Sequence, residues 1–462
     1  MSATTFAGET TRSGPGRDRA ECKPIRFEAL RPPFSEPVAR LEARRCLECG
    51  GPHAQAPCIT ACPTGIDVSS FVASIARGKP DEAAQTIYRE NMLGTSCAQV
   101  CPVEVLCEGA CVLHAEGRRP VEIGRLQRFA GERALEGDVP LFSAPAAASG
   151  KRVAVIGAGP AGLACAAEAA MLGHEVTVYD SNDDYGGLLR YAIAPYRIGR
   201  EPIPAEVERI RELGVRFRLG EEVDSAERLA EIERESDAVF LAIGLGEDTE
   251  MELPGEDLRG VWRSLEFIRR LKTGAPPAVG DSVAVIGGGN TAIDVAIEAK
   301  LLGASTVTMY YRRTEEQMPA YRHEIAEARR HGVHFHFLAA PVAFAGDGRV
   351  RSMTLRAMKL TGSDSSGRPR PEPVEGTEVD VPVDTVIVAV GQSKRTGFLS
   401  RIDRLELERG RPKLDPRTRQ TTNPRYFAGG DAVNGGDTVV TAIQHGKLAA
   451  RGIDEYVRGR TR

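Results

Sequence analysis

The sequence predicts an α/β protein: two Rossmann-like nucleotide-binding units preceded by an α-helical, cysteine-rich domain. Three observations carry this. A strand, glycine turn, helix and strand follow one another from Val153 to Asp180. The same pattern returns from Val283 to Tyr311, with its first glycine, Gly287, 130 residues after Gly157. Eight of the ten cysteines fall between residues 46 and 111.

The first stretch has every part of a dinucleotide fingerprint. Val153 to Ile156 is a short β-branched run, the signature of a buried parallel strand. Gly157 permits a tight turn, Gly159 lets a pyrophosphate approach the backbone, and Gly162 lets helix and strand pack closely. Pro160 and Ala161 open an alanine-rich helix, whose free N–H groups and positive dipole end suit phosphates. Asp180, at the end of the second strand, is placed to accept from a ribose hydroxyl. The competing reading is a plain glycine turn in a buried sheet.

The totals narrow the class. A chain of 462 residues holds about three domains. A net charge of −4 argues for neither a nucleic-acid nor an anionic-membrane partner. The longest weakly polar run is the fingerprint helix, and Glu168 and His174 mark it as core rather than membrane span. The N-terminus shows no basic-then-apolar export pattern. Ten cysteines without such a pattern point to metal or redox chemistry in a reducing, cytoplasmic setting.

In chain order, residues 1–33 read as a mobile tail. A helical domain follows over 34–136, beginning with a helical period from Phe34 to Arg45. Its cysteines are Cys46, Cys49, Cys58 and Cys62, then Cys97, Cys101, Cys107 and Cys111. Val68 to Asn91 between them reads as helix. Close spacing lets thiolates converge without long loops, and Cys-x3-Cys-Pro suits iron–sulfur clusters. Zinc, or plain buried cysteine, competes. Cys22 lies outside the clusters, and Cys165 reads as a small buried apolar residue.

Residues 137–150 read as a linker. Beyond it, 151–246 with 394–462 form one nucleotide-binding domain and 247–393 the other. Tyr185-Gly186-Gly187-Leu188 allows close approach to a flat ligand. Ala238 to Gly244 and Val383 to Gln392 read as buried strands. In the second fingerprint, Gly288, Gly289, Asn290 and Thr291 form the turn. Its second strand ends at Tyr311, followed by Arg312 and Arg313 where the first copy has an acid. Arginines pair with a 2′-phosphate, so this unit suits NADPH; a solvated arginine pair is the alternative. Residues 345–380 read as a hairpin around a loop from Thr361 to Glu375. Tyr426 to Asp431 offers a second approach to a cofactor through Gly430 and Asp431, ahead of a helix from about Thr438.

These motifs in this order resemble one family. It comprises the glutamate synthase small subunit, the N-terminal half of dihydropyrimidine dehydrogenase with its bacterial flavoprotein subunit, and a related ferredoxin:NADP oxidoreductase subunit. RCLECG (45–50), CPTG (62–65), CAQVCPVEVLCEGAC (97–111), VIGAGPAGL (155–163), YRRTEEQMPA (311–320) and FAGGDAV (427–433) carry the resemblance. It implies FAD in the first Rossmann-like unit, held through Gly157, Gly159, Pro160, Ala161, Gly162, Asp180, Gly187, Leu188, Gly430 and Asp431. It implies NAD(P)H in the second, through Gly288, Gly289, Asn290, Thr291, Arg312 and Arg313. It also implies two 4Fe-4S clusters. One takes Cys46, Cys49, Cys58 and Cys111; the other takes Cys62, Cys101, Cys107 and Gln127, with Cys97 behind them. Gln127 favours the dihydropyrimidine dehydrogenase branch. The activity implied is electron input from NADPH through FAD and the clusters to a partner subunit, either a pyrimidine-reducing barrel protein or a glutamate synthase large subunit. A stand-alone NADPH-dependent flavin reductase and a non-catalytic nucleotide sensor are the alternatives.

Overall fold

Short β-branched runs alternating with helices close as parallel sheets, because each crossover returns the chain to the same edge. A computed structural model, which describes residues 3–5, 26–51, 54–364 and 367–459, has two such sheets. The chain divides into two units. One holds Leu30–Arg190, Arg197–Gly246 and Lys394–Arg462; the other holds Met1–Ala29, Tyr191–Tyr196 and Glu247–Ser393. Most of the tail expected at 1–33, and Cys22, lie outside the described residues; Ala3–Thr5 and Arg26–Glu28 pair antiparallel.

In the first unit the parallel sheet runs Tyr426–Ala428, Ala238–Leu241, Arg152–Ile156, Glu175–Asp180, Arg216–Leu219. The helix Pro160–Met171 is buried from Ala161 to Ala170, with the terminal helix Val439–Val457 packed against it. That contact depends on glycine: a Cβ on Gly446 would stand 2.2 Å from the Ala161 carbonyl oxygen. The strand expected over Ala238 to Gly244 stops at Leu241.

The cysteine domain of this unit packs helices Glu36–Ala43, Val68–Ala76, Pro80–Glu90, Gly94–Val100 and Ile123–Glu136 around Phe71, Ile75, Ile87, Tyr88 and Leu126. The single helix expected from Val68 to Asn91 is two. Gly78, at φ +77°, leaves the helical conformation, and Pro80 cannot continue a helix but can start one. Residues 137–150 have no regular element, yet they are tied down. Ala146 N donates to Met171 O and Ser149 N to Gly173 O, and Leu141 is buried.

A buried carboxyl joins helix Pro202–Arg211 to the start of helix Gly94–Val100. Glu206 accepts from Thr95 N at 2.7 Å, from Tyr88 Oη at 2.9 Å, and from Ser96 N and Oγ. Burial pushes its pKa up from 4.5 to about 7, against those hydrogen bonds. The folded carboxyl therefore binds its proton more tightly than the unfolded one. Its contribution to stability is whole below pH 4.5 and falls by about 3 kcal/mol as pH rises through about 7. Glu206→Gln is expected to flatten the decline in Tm between about pH 5 and pH 8; an unchanged slope would contradict this.

The second unit has the parallel order His334–Phe337, Thr306–Tyr311, Ser282–Ile286, Thr385–Val388, Val261–Arg263. The strand expected over Val383 to Gln392 is limited to Thr385–Val388. An antiparallel group follows: Ala339–Ala345, Ser352–Ser363 and Pro369–Pro373, with Val379–Pro382 also on Ser352–Ser363. Strand thus occupies part of the loop expected at Thr361 to Glu375. Pro369, Pro371 and Pro373 alternate along an edge strand, where every second N–H faces outward and can be dispensed with.

Candidate functional site

The two glycine turns are built alike. Gly157 has φ +109°, and a Cβ there would lie 2.3 Å from Ala242 O. Gly287 has φ +145°, with Ala389 O at 2.2 Å from its would-be Cβ. Each turn is thus pressed against the chain just after a neighbouring strand, and no side chain fits. Gly162 is excluded from substitution by Gly157 O, 1.9 Å from its would-be Cβ; the second copy has Ala292 there.

The middle glycines differ in kind. A Cβ on Gly159 would meet only Gly187 Cα at 3.9 Å, and one on Gly289 only Pro319 Cγ at 4.0 Å. Packing does not demand glycine at either place. A Cβ would instead fill the open cradle at the start of a helix of 12 residues whose N-cap glycine offers no side chain to the free N–H groups. A pyrophosphate fits that cradle in both units.

Around the first turn, Gly187 (φ +53°) brings its would-be Cβ within 2.9 Å of Gly159 Cα, and Gly430 (φ +65°) brings its own within 3.1 Å of Ala161 Cβ. Leu188 follows, partly exposed. Three segments distant in sequence therefore line one cradle. Asp180 is half-buried and already engaged: Oδ2 accepts from Ala158 N at 2.7 Å, and Oδ1 from Asn182 N and Nδ2. One lone-pair position on Oδ2 is left for a ribose hydroxyl. Asp431 accepts from Asp437 N at 3.3 Å, and burial raises its pKa.

Two residues here escaped the sequence reading. His445 Nδ1 accepts from Gly430 N at 3.2 Å, which puts its proton on Nε2. Burial and the nearby Arg419 charge hold its pKa down to about 4, so it stays a neutral acceptor. Arg419 is buried at φ +62°, donates from Nε to Ala428 O, and its Nη2 finds no partner among the described residues. Nothing in the local sequence of either marks it.

In the second unit the Tyr311 ring covers Gly288, 2.6 Å from a would-be Cβ, so glycine is obligatory where the first copy tolerates Ala158. Tyr311 Oη donates to Gln317 O. Asn290 Oδ1 accepts from Tyr321 N at 3.0 Å, tying down the loop after Tyr311; Thr291 lies in the first turn of helix Asn290–Leu301. The arginine pair expected at a 2′-phosphate is split. Arg312 is exposed. Arg313 is buried, its Nη2 2.7 Å from Asp364 Oδ2 and its Nε donating to Pro369 O at 2.8 Å. The bidentate role expected of Arg313 is thus taken by the hairpin.

The cysteines are sorted by space, not by sequence cluster. Cys46, Cys49, Cys58 and Cys111 line one open cavity with Leu47, Val68 and Ile123. Cys62, Cys97, Cys101, Cys107 and Gln127 line a second, which shares Val68 and Ile123 and also meets Val440 of the terminal helix. All nine described cysteines are free thiols. Among the described residues, no three His, Cys, Asp or Glu side chains are grouped to hold a metal ion. Thiols spread around a cavity suit a many-atom cluster better than one zinc ion, which needs four ligands at about 2.3 Å. Burial, then the Cys46 and Cys111 thiols, push Cys58 up to about 11. The neighbouring Cys97 thiol, together with burial, raises the pKa of Cys101. Gln127 Nε2 donates to Gly94 O at 2.7 Å, which leaves Oε1, the ligand-competent atom, for the cavity.

Comparison with known proteins finds family matches in both parts of the chain. The pyridine nucleotide-disulphide oxidoreductase family profile matches residues 151–446. That of dihydropyrimidine dehydrogenase domain II, 4Fe-4S cluster, matches residues 23–139. The glutamate synthase (NADPH) small chain of Halomonas elongata is 36% identical over 461 residues, 96% of this chain and 97% of the relative. The NAD-dependent dihydropyrimidine dehydrogenase subunit PreT of Escherichia coli is 34% identical over 434 residues, 94% and 98% of the two chains. Mycobacterium tuberculosis FprA shares the fold over 67% of this chain and 85% of its own, with TM-score 0.55 and 19% identity. The thioredoxin reductase of T. acidophilum does so over 67% and 100%, with TM-score 0.51 and 20% identity. The chain is an NAD(P)H-dependent flavoprotein oxidoreductase, and it belongs to the FAD- and iron–sulfur-containing family that includes the glutamate synthase small chains and the dihydropyrimidine dehydrogenase subunit PreT.

Proposed function

We propose that this chain is the electron-input subunit of a larger cytoplasmic enzyme, with FAD in the unit of residues 151–246 and 394–462, NADPH in 247–393, and two 4Fe-4S clusters in 34–136. When bound, these groups supply hydride donation, two-electron-to-one-electron exchange and single-electron conduction. The chain's own work is to hold and insulate them. Gly157, Gly159, Gly162, Gly187 and Gly430 shape the flavin cradle, with Pro160, Ala161 and Leu188 beside it. Asp180 and Asp431 are its hydroxyl acceptors. Gly288, Gly289, Asn290 and Thr291 shape the NADPH cradle, and Arg312 is the cation open to a 2′-phosphate.

One cluster is held by Cys46, Cys49, Cys58 and Cys111, the other by Cys62, Cys101, Cys107 and Gln127. The observation that carries this reading is the sorting of the cysteines into two cavities, one of which meets Val440 of the helix whose His445 holds Gly430 of the flavin cradle. The residues of the second cavity would hold the cluster on the side of the terminal helix, those of the first the other, and both would supply single-electron conduction when bound. Gln127 favours a pyrimidine-reducing barrel protein as partner. A glutamate synthase large subunit is the second reading, supported by the 36% identity to the H. elongata small chain. The purified, cofactor-replete chain is expected to reduce an artificial electron acceptor with NADPH, without any partner. A replete chain that fails to do so is not an electron-input subunit.

A further inference from the structure

The second nucleotide turn carries a feature that coenzyme binding alone does not require. Arg313 stands two residues past Tyr311, at the strand end where Rossmann-like units read the ribose 2′ position. A guanidinium there grips a phosphate best through two parallel N–H groups. In Arg313 one such pair, Nε with Nη2, is already engaged. Nη2 pairs with Asp364 Oδ2 at 2.7 Å and Nε with Pro369 O at 2.8 Å. The arginine is 3% exposed. Asp364 is held in its turn: its N donates to Arg368 O at 2.7 Å, and its Oδ1 accepts from Arg368 N at 3.2 Å. The hairpin thereby delivers a carboxylate, from 51 residues away, to the guanidinium that stands two residues past the strand end. Of the two arginines, the exposed Arg312 keeps its charge uncompensated by this carboxylate, while Arg313 is neutralised by it.

The geometry points to Asp364 as a specificity-determining residue: it latches Arg313 and so holds the coenzyme preference closer to NADH than the arginine pair alone would set. This rests on the reading of residues 247–393 as the NAD(P)H unit. Removing the charge frees the Arg313 guanidinium from its carboxylate partner. Asp364→Asn is expected to raise the ratio of kcat/KM for NADPH to that for NADH about tenfold, read as flavin-dependent reduction of an artificial acceptor by the full chain. In an Arg313→Met background the same substitution is expected to leave the ratio unmoved, because no guanidinium is freed. Asp364→Glu, which keeps the charge, is expected to hold the ratio within about twofold of the parent.

A ratio that stays put on Asp364→Asn, or that rises equally without Arg313, overturns the latch. Where Asp364→Asn does not fold, Asp364→Ser decides by the same ratio. If neither coenzyme reduces the flavin in the parent chain, the coenzyme reading falls and the latch with it. If one or both do and the ratio is fixed, the latch alone falls.

Discussion

Cys58→Ala is expected to remove about four of about eight irons per chain and leave the rest in place. Cys111→Ala should remove the same four, although it lies 53 residues away in the other sequence cluster. The double variant Cys58→Ala/Cys111→Ala is then no worse than either single one, because both thiols face one cavity. Cys58→Ala/Cys62→Ala is the opposite case. The two are close neighbours in sequence but line different cavities, so the pair should lose nearly all the iron. Assignment by sequence cluster predicts the reverse pattern, which makes iron content of the two double variants decisive. If the second cluster takes Cys62, Cys101, Cys107 and Gln127, Cys97→Ala is expected to keep its iron, whereas Gln127→Leu should weaken the second cluster.

The second large effect separates packing from binding at the glycine turns. Gly162→Val should cost the fold itself, because its Cβ would stand 1.9 Å from Gly157 O. That chain is expected to lose flavin and melt early. Gly159→Ala is expected to behave otherwise. Its Cβ would meet nothing closer than 3.9 Å, so Tm should stay within about 1 °C while flavin affinity falls about tenfold or more. Gly289→Ala makes the same test in the second unit, with a raised KM for NADPH and unaltered flavin content. Equal losses of Tm in Gly159→Ala and Gly162→Val would show that the open cradle is only a packing feature.

Much of this was legible in the sequence, because the chemistry there is local. A glycine forced by backbone approach, such as Gly157 or Gly287, leaves a fixed spacing that a strand and helix on either side confirm. The Cys46 and Cys101 neighbourhoods are similarly compact. What stayed hidden depends on contacts between distant segments. Nothing near Arg313 announces Asp364, so the arginine pair read as two phosphate ligands. His445 is one of several polar residues in the terminal helix, and only the fold shows that it holds Gly430. Glu206 sits in a charged helix and looks solvated, yet it is fully buried beneath Thr95 and Ser96. Helix ends were misjudged where one residue overrode periodicity, as at Gly78 and Pro80. The crossed cysteine assignment came from resemblance, since spacing alone favours pairing neighbours.

The account requires that a coenzyme held by residues 247–393 reduce a flavin held by the other unit. Anaerobic addition of NADPH to the purified holoprotein, followed by visible absorbance, tests this directly. The account predicts that the yellow flavin band bleaches with about one equivalent of NADPH per flavin. A band that persists under excess NADPH and NADH, yet bleaches with a chemical reductant, would contradict it.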